Sequence, residues 1–161
     1  MNNRSELLLL TRDAEFAGRL CAAASATARV ESAESPEELE PRLATLHSPA
    51  LFLDLRRPEH EDILAYYLAH PRRPVVVAVA VAASEPARRA VGMGALDVLD
   101  PQAGAEQIQR LVLLSISHAA LLREVLDLRC QIQPARPEPV AAPTPASLFG
   151  LLRSRPNFDG V

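Results

Sequence analysis

The sequence predicts an α/β fold of parallel strands joined by crossover helices, and three observations predict it. Short apolar runs bounded by turn residues alternate five times with helical patterns, which is how successive β-α units read in a sequence. Two of these runs, ELLLL at residues 6–10 and PVVVAVAV at 74–81, are apolar almost throughout, as central strands covered on both faces are. The 161 residues, once a proline-rich stretch near the end is set aside, are enough for one core of ordinary domain size.

The first strand runs from Glu6 to Leu10, and Asp13 then caps a helix over AEFAGRLCAAASA, where Phe16, Leu20 and Cys21 fall at helical spacing. A weaker second strand, about Thr27 to Glu31, leads into SPEELEPRL. There Ser35 can cap, Pro36 suits a first turn that needs no amide hydrogen, and Glu38 can close a capping box. The third strand is Ala50 to Asp54, and the helix after it, about Glu59 to Ala69, turns Ile63, Leu64 and Tyr67 inward. The fourth, Pro74 to Val81, is too β-branched for a helix and should be central. Ser84 caps SEPARRAVGM, which stops at Gly94, and a short fifth strand spans Leu96 to Leu99.

A fifth helix starts near Gly104 and meets no breaker until Pro134, so its roughly 29 residues would reach about 44 Å. In its second half Leu114, His118, Leu121, Val125, Leu128 and Ile132 follow 4-3-4-3-4 spacing, the repeat of a two-stranded coiled coil. The stripe can pair with a second copy, which makes a homodimer with His118 in its seam, or fold back on its own domain. The expected plan is a core over 1–103, the long helix over 104–133, a proline-rich linker over 134–147 and a stub over 148–161, too short to fold alone.

Composition excludes several functions. Hydrophobic residues make up 48% of the chain and charged ones 23%, with no tryptophan, so Ala, Leu and Val must fill the core. The net charge is −3 and all 17 basic residues are arginine, so no basic surplus points to nucleic acid. Cys21 and Cys130 lie far apart on helical segments, which suits a reducing cytoplasm and offers neither a disulfide framework nor a metal knuckle. MNNRSELLLLTRD has too short an apolar run for a signal peptide or a membrane span. Ser115, Ser117 and the histidines show no nucleophile-base pattern, and no enzyme is expected.

Two motifs carry a resemblance. LFLDLRRP ends an apolar strand on Asp54 with Pro58 four residues on, and GALDVLDP turns through glycine and alanine into the fifth strand; the count from Gly94 back to Pro74 needs no gap. Over residues 5–128 the chain resembles the receiver domain of bacterial response regulators, a CheY-like, flavodoxin-like module. The resemblance implies a doubly wound five-stranded parallel sheet in the order 2-1-3-4-5, with Asp54 at the phosphoacceptor position. It also shows departures. Phosphoryl transfer to a carboxylate gathers negative charge that a divalent cation must neutralise. The positions of the cation-holding acidic pair read Thr11 and Arg12, with Asp13 one residue late, where capping explains it. The serine or threonine position of strand four reads Val79, the aromatic switch position reads Leu96, and the lysine region reads Asp100 and Pro101 in a chain without lysine.

The resemblance therefore implies a degenerate receiver, a pseudo-receiver, with no magnesium and no other cofactor. Arg12 is expected to pair with Asp54 where the cation would be. The expected function is a non-catalytic regulatory or dimerisation module of a cytoplasmic signalling protein, acting on a downstream output domain or partner and touching neither nucleic acid nor membrane. Arg88, Arg89, Asp97 and Arg110 offer opposite charges on the face through which receivers pair, beside the stripe from Leu114 to Leu128. Two alternatives stay open: a phosphoacceptor at Asp54, as in transcription activators, and a localisation adaptor like the pseudo-receivers of pilus-assembly ATPases. LFGLLRSRPNFDGV resembles the entry to the ATPase domain of enhancer-binding activators, with Arg153 and Arg155 in place of small residues. EHED at 59–62 reads as an acidic first helical turn, GMGA as a helix stop, and His47 and His70 as solvated residues at helix ends.

Overall fold

The computed structural model describes residues 5–46 and 48–132. His47, the linker 134–147 and the stub 148–161 lie outside the described residues. Five β-α units follow in order: β1 (Ser5–Leu10), α1 (Ala14–Ala24), β2 (Ala28–Ala33), α2 (Pro36–Thr45), β3 (Ala50–Asp54), α3 (His60–Leu68), β4 (Val75–Val79), α4 (Glu85–Met93), β5 (Asp97–Leu99) and α5 (Ala105–Ile132). The strands form one parallel sheet in the order β2-β1-β3-β4-β5, the doubly wound arrangement expected. The chain divides into two compact units, Met1–Asp127 and Leu128–Val161, and the last residues of α5, 128–132, belong to the second.

Side-chain alternation along the strands builds two cores, one on each face of the sheet. Leu8, Leu10, Leu51, Leu53, Val76 and Ala78 face one way and pack with Leu39, Leu43, Leu64, Tyr67 and Ala90 of α2, α3 and α4. Leu7, Leu9, Phe52, Val77 and Val79 face the other and pack with Phe16 and Leu20 of α1 and with Ile108, Leu111 and Val112 of α5. This is why β1, β3 and β4 read as unbroken apolar runs. β3 and β4 pair from Ala50 opposite Val75 to Asp54 opposite Val79, so both strands end at the same edge, level with Asp54.

Side-chain caps open α1 and α4, and a left-handed glycine closes α4. Asp13 accepts the Phe16 amide at 2.9 Å, Ser84 accepts the Ala87 amide at 3.3 Å, and Gly94 closes α4 in the left-handed region at φ +111°. Three expectations need correction. The capping box of α2 closes one residue early: Glu38 accepts the Glu34 amide at 3.0 Å, while the Ser35 side chain makes no cap bond. β4 has five residues rather than eight, because Pro74 has no amide to donate and the chain beyond Ala80 is drawn to Asp100, which accepts the Ala82 amide at 3.0 Å. His70 is not solvated but 11% exposed in its side chain, packed on the rings of Tyr66 and Tyr67 beside Glu40.

α5 buries Ile108, Leu111, Val112, Ser115 and Ala119 and leaves Leu114, His118, Leu121 and Val125 exposed, as are Leu128 and Ile132. Leu114, His118, Leu121 and Val125 of the 4-3 stripe therefore do not fold back onto the core. Among the described residues no helix is long and apolar enough to cross a membrane.

Two glycines of α4 separate backbone strain from packing. A Cβ would meet nothing within 4 Å at either Gly92 or Gly94, but only Gly94 has positive φ. Gly94→Ala is expected to cost about 1 kcal/mol, and Gly92→Ala, inside the helix, to gain roughly 0.5–1 kcal/mol, both read from urea midpoints.

Candidate functional site

Asp54 ends β3 at the carboxyl edge of the sheet with 5% of its surface exposed. A carboxylate so buried must find partners close by. Four donors reach it. Oδ1 accepts the Arg56 backbone amide at 3.1 Å and Arg56 Nε at 2.9 Å, and Oδ2 accepts Arg56 Nη2 at 2.6 Å and Thr11 Oγ1 at 2.7 Å. The two Arg56 side-chain bonds form a fork matched to the carboxylate plane, the strong geometry for this pair. The remaining arm, Nη1, donates to Asp13 Oδ2 at 2.9 Å, so one guanidinium bridges two carboxylates.

Each partner is fixed by its own surroundings. The bond from the Arg56 amide to Asp54 closes a tight Asx turn after the strand, which carries the side chain two residues on back over the carboxylate. Thr11 is buried where β1 ends, and its hydroxyl also accepts the Asp13 amide at 3.1 Å. Asp13 uses its other oxygen to cap α1, and Arg56 lies 5.9 Å from the Phe16 ring centroid. His60, buried in the first turn of α3, donates through Nδ1 to the main-chain carbonyl of Asp54.

Burial alone pushes the Asp54 carboxyl up, but the hydrogen bonds from Arg56 and Thr11 outweigh it and hold the group below the usual carboxylate range. Asp13 is also held low, first by the Phe16 amide and then by Arg56. The bond to Asp54 is the main cause that raises Arg56 above its ordinary value.

The structure brings Thr11, Asp13 and Asp54 together, and it corrects the partner. Arg12 does not reach Asp54: it is exposed on the β2 side, where its Nε donates to the Glu34 carbonyl at 3.2 Å. Alternation at the end of β1 turns Thr11 inward and Arg12 outward. Arg56 takes the expected role. Val79 is buried opposite Asp54 and offers no hydroxyl. Asp100 accepts the amides of Ala82 and Gln102, which keep it below the usual carboxylate range, and so ties together the loops after β4 and β5. The Pro101 carbonyl accepts Arg19 Nη2, and that of Ala103 accepts Nη1 at 3.2 Å. Leu96 is half-buried against the α1/α5 core. Arg88, Asp97 and Arg110 are exposed, whereas Arg89 is engaged within the chain by Glu61 at 2.8 Å and by Glu85.

Sequence reasoning missed Arg56, Arg19 and His60. The signal for Arg56 is the spacing Asp-x-Arg at a strand end, where an Asx turn folds the second residue back. Arg19 and His60 leave no comparable mark, since each acts through main-chain carbonyls.

A divalent cation does not fit here. The space between Asp13 and Asp54 is taken by a guanidinium already bonded to both, and among the described residues no group of three or more His, Cys, Asp or Glu is placed to hold a metal ion.

No protein-family model matches the chain, and neither does the sequence of any curated protein. Solved structures do match its fold. The signal receiver domain of a putative LuxO repressor protein from Vibrio parahaemolyticus has a TM-score of 0.65 at 20% identity, covering 76% of this chain and 97% of that one. NtrX from Brucella abortus, solved in complex with ADP, has a TM-score of 0.67 at 18% identity over 78% of this chain, which spans only 29% of that protein. The beryllofluoride-activated NtrC4 receiver domain, solved as a dimer, has a TM-score of 0.62 at 17% identity, covering 71% of this chain and 98% of that one. The fold is that of response-regulator receiver domains, as the aspartate loop and the glycine-alanine turn imply.

The Arg56 fork has a measurable signature. Arg56→Ala is expected to lose about 2 kcal/mol at about pH 7, less than a fully buried pair because the arginine keeps 30% exposure. In the native chain the folded carboxyl of Asp54 lies below its ordinary 3.8, so its contribution is complete above that value and lost as pH falls through the folded value. Without Arg56, burial prevails over Thr11 and the carboxyl rises, so acidification towards about pH 4 should restore part of the variant's deficit. Urea unfolding of both proteins across that range checks the inversion.

Proposed function

We propose that the chain is a non-catalytic regulatory module of receiver type, in which a built-in guanidinium occupies the carboxylate that receivers phosphorylate. One observation carries this reading: all four lone-pair sites of Asp54 are taken, three of them by Arg56. A carboxylate must present a free lone pair to attack phosphorus, and the charge that then accumulates needs a mobile cation. Here the Asp54 charge is balanced by a group tethered two residues away. Neither Val79 nor the Asp100–Pro101 region offers a hydroxyl or ammonium to receive a phosphoryl group. The reading includes no cofactor, no enzyme activity, a cytoplasmic setting and a downstream output domain or partner protein.

The module would act by pairing. Leu114, Leu121 and Val125 lie exposed at coiled-coil spacing on α5, and Arg88, Asp97 and Arg110 supply exposed opposite charges on the neighbouring elements. A second copy would bury the leucines that the core leaves outside.

Incubation with acetyl phosphate and magnesium, followed by intact-mass measurement, should give no acid-labile adduct beyond that of Asp54→Ala. A stoichiometric adduct that disappears in that variant would make Asp54 a phosphoacceptor and end this reading. Pairing is tested separately. Leu121→Glu together with Val125→Glu should convert a dimer to a monomer in sedimentation, and Arg110→Glu should weaken association at least several-fold at low salt.

A further inference from the structure

The pocket is joined to α5 by a short run of contacts that the proposed function does not use. Phe16, fully buried on α1, has two guanidiniums against its ring, Arg56 at 5.9 Å and Arg19 at 5.8 Å from the centroid. Both distances fall within the reach of a cation-π contact. Arg56 is the residue that forks onto Asp54, and Arg19 is the residue that grips the Pro101 and Ala103 carbonyls just before α5 begins at Ala105. Phe16 also packs in the same core as Ala103, Ile108, Leu111 and Val112. One aromatic ring therefore touches the group that neutralises the pocket and the group that anchors the root of α5.

We propose that Arg56, Phe16 and Arg19 form a relay through which the arrangement of the Asp54 pocket sets the seating of the first turn of α5. The part that can move is Arg56, forked onto Asp54 and Asp13 in the favoured state and released towards solvent only when a force on Arg56 opens the fork. In the forked state its guanidinium sits over the Phe16 ring, 5.9 Å from the centroid, and limits the room that ring has to turn. Arg19 packs on the same ring, and among the described residues its buried Nε has no hydrogen-bond partner, so its hold on the loop rests on the two carbonyl bonds and the ring contact. When Arg56 leaves, the ring gains freedom, Arg19 loses its backing, and the loop over 101–104 loosens. Because α5 carries the exposed leucine stripe, the pocket thereby biases the surface offered to a second copy. Arg56, Phe16 and Arg19 are positioning residues in this account, and the relay holds whether or not Asp54 ever accepts a phosphoryl group.

Amide hydrogen exchange on the full chain tests it at the Ala103 amide, bonded to the Asp100 carbonyl, and the Ile108 amide, bonded to the Gly104 carbonyl. Arg56→Lys keeps the charge and the fold but loses the planar fork and the ring contact. It should speed exchange at Ala103 and Ile108 at least fivefold, while Gly94→Ala, which lowers stability at the C-cap of α4, should leave those two amides within twofold of the native rates. In a Phe16→Leu background, where the core stays filled but the ring is gone, adding Arg56→Lys should change the same amides by less than twofold. Exchange that follows only global stability, or an Arg56→Lys effect that survives intact in Phe16→Leu, overturns the relay. Absence of a phosphoryl adduct bears on the proposed function and leaves these rates untouched, so the two ideas fail separately.

Discussion

The Arg56 fork on Asp54 is the interaction on which the carboxyl edge of the sheet depends. A carboxylate with 5% exposure would be expelled or protonated without a cation, because desolvation opposes its charge. The fork keeps it ionised, and the third arm of the same guanidinium recruits Asp13, which caps α1. Thr11 fills the last acceptor site and holds the Asp13 amide. His60 then fixes the start of α3 by donating to the Asp54 carbonyl. The ends of β1 and β3 and the first turns of α1 and α3 are thus positioned around one charge pair.

Most of the fold was legible because it rests on local chemistry. Unbroken apolar runs marked β1, β3 and β4, and Asp13, Ser84 and Gly94 act as caps or stops where their residue types suggest. The second helix was harder, since Glu34 and Ser35 can both offer an amide to Glu38 and only the chain path from β2 decides between them. The pocket was legible as a place but not as a set of contacts. Arg12 and Arg56 are both near Asp54 in the fold, and strand alternation sends one outward while an Asx turn folds the other in. Arg19 reaches carbonyls more than 80 residues away, a pairing to which periodicity is blind.

The long helix shows how a single stripe can be read two ways. Hydrophobic residues cover more than one face of α5, since Ile108, Leu111, Val112 and Ala119 already serve the core. Spacing of 4-3 is shared by a core-facing stripe and a coiled-coil seam, and only burial separates them. The exposed set begins at Leu114 and runs alongside the core-facing residues, which continue through Ser115 and Ala119. Core packing on one side fixes the azimuth of the helix, and the leftover leucines fall on a flanking face.

A tethered cation and a diffusible one give a pocket different thermodynamics. Magnesium comes and goes with its concentration and leaves coordination sites open to a phosphoryl oxygen. A guanidinium two residues along the chain is present at very high effective concentration, does not vary with the medium, and saturates its partner through a fixed fork. Opening it strands a buried carboxylate, so the closed arrangement is strongly favoured and small chemical inputs have little to act on. A pocket built this way is suited to hold one conformation. What could still shift it is a force on Arg56 itself, and the groups that touch Arg56 beyond the two carboxylates and their own turn lead through Phe16 towards α5.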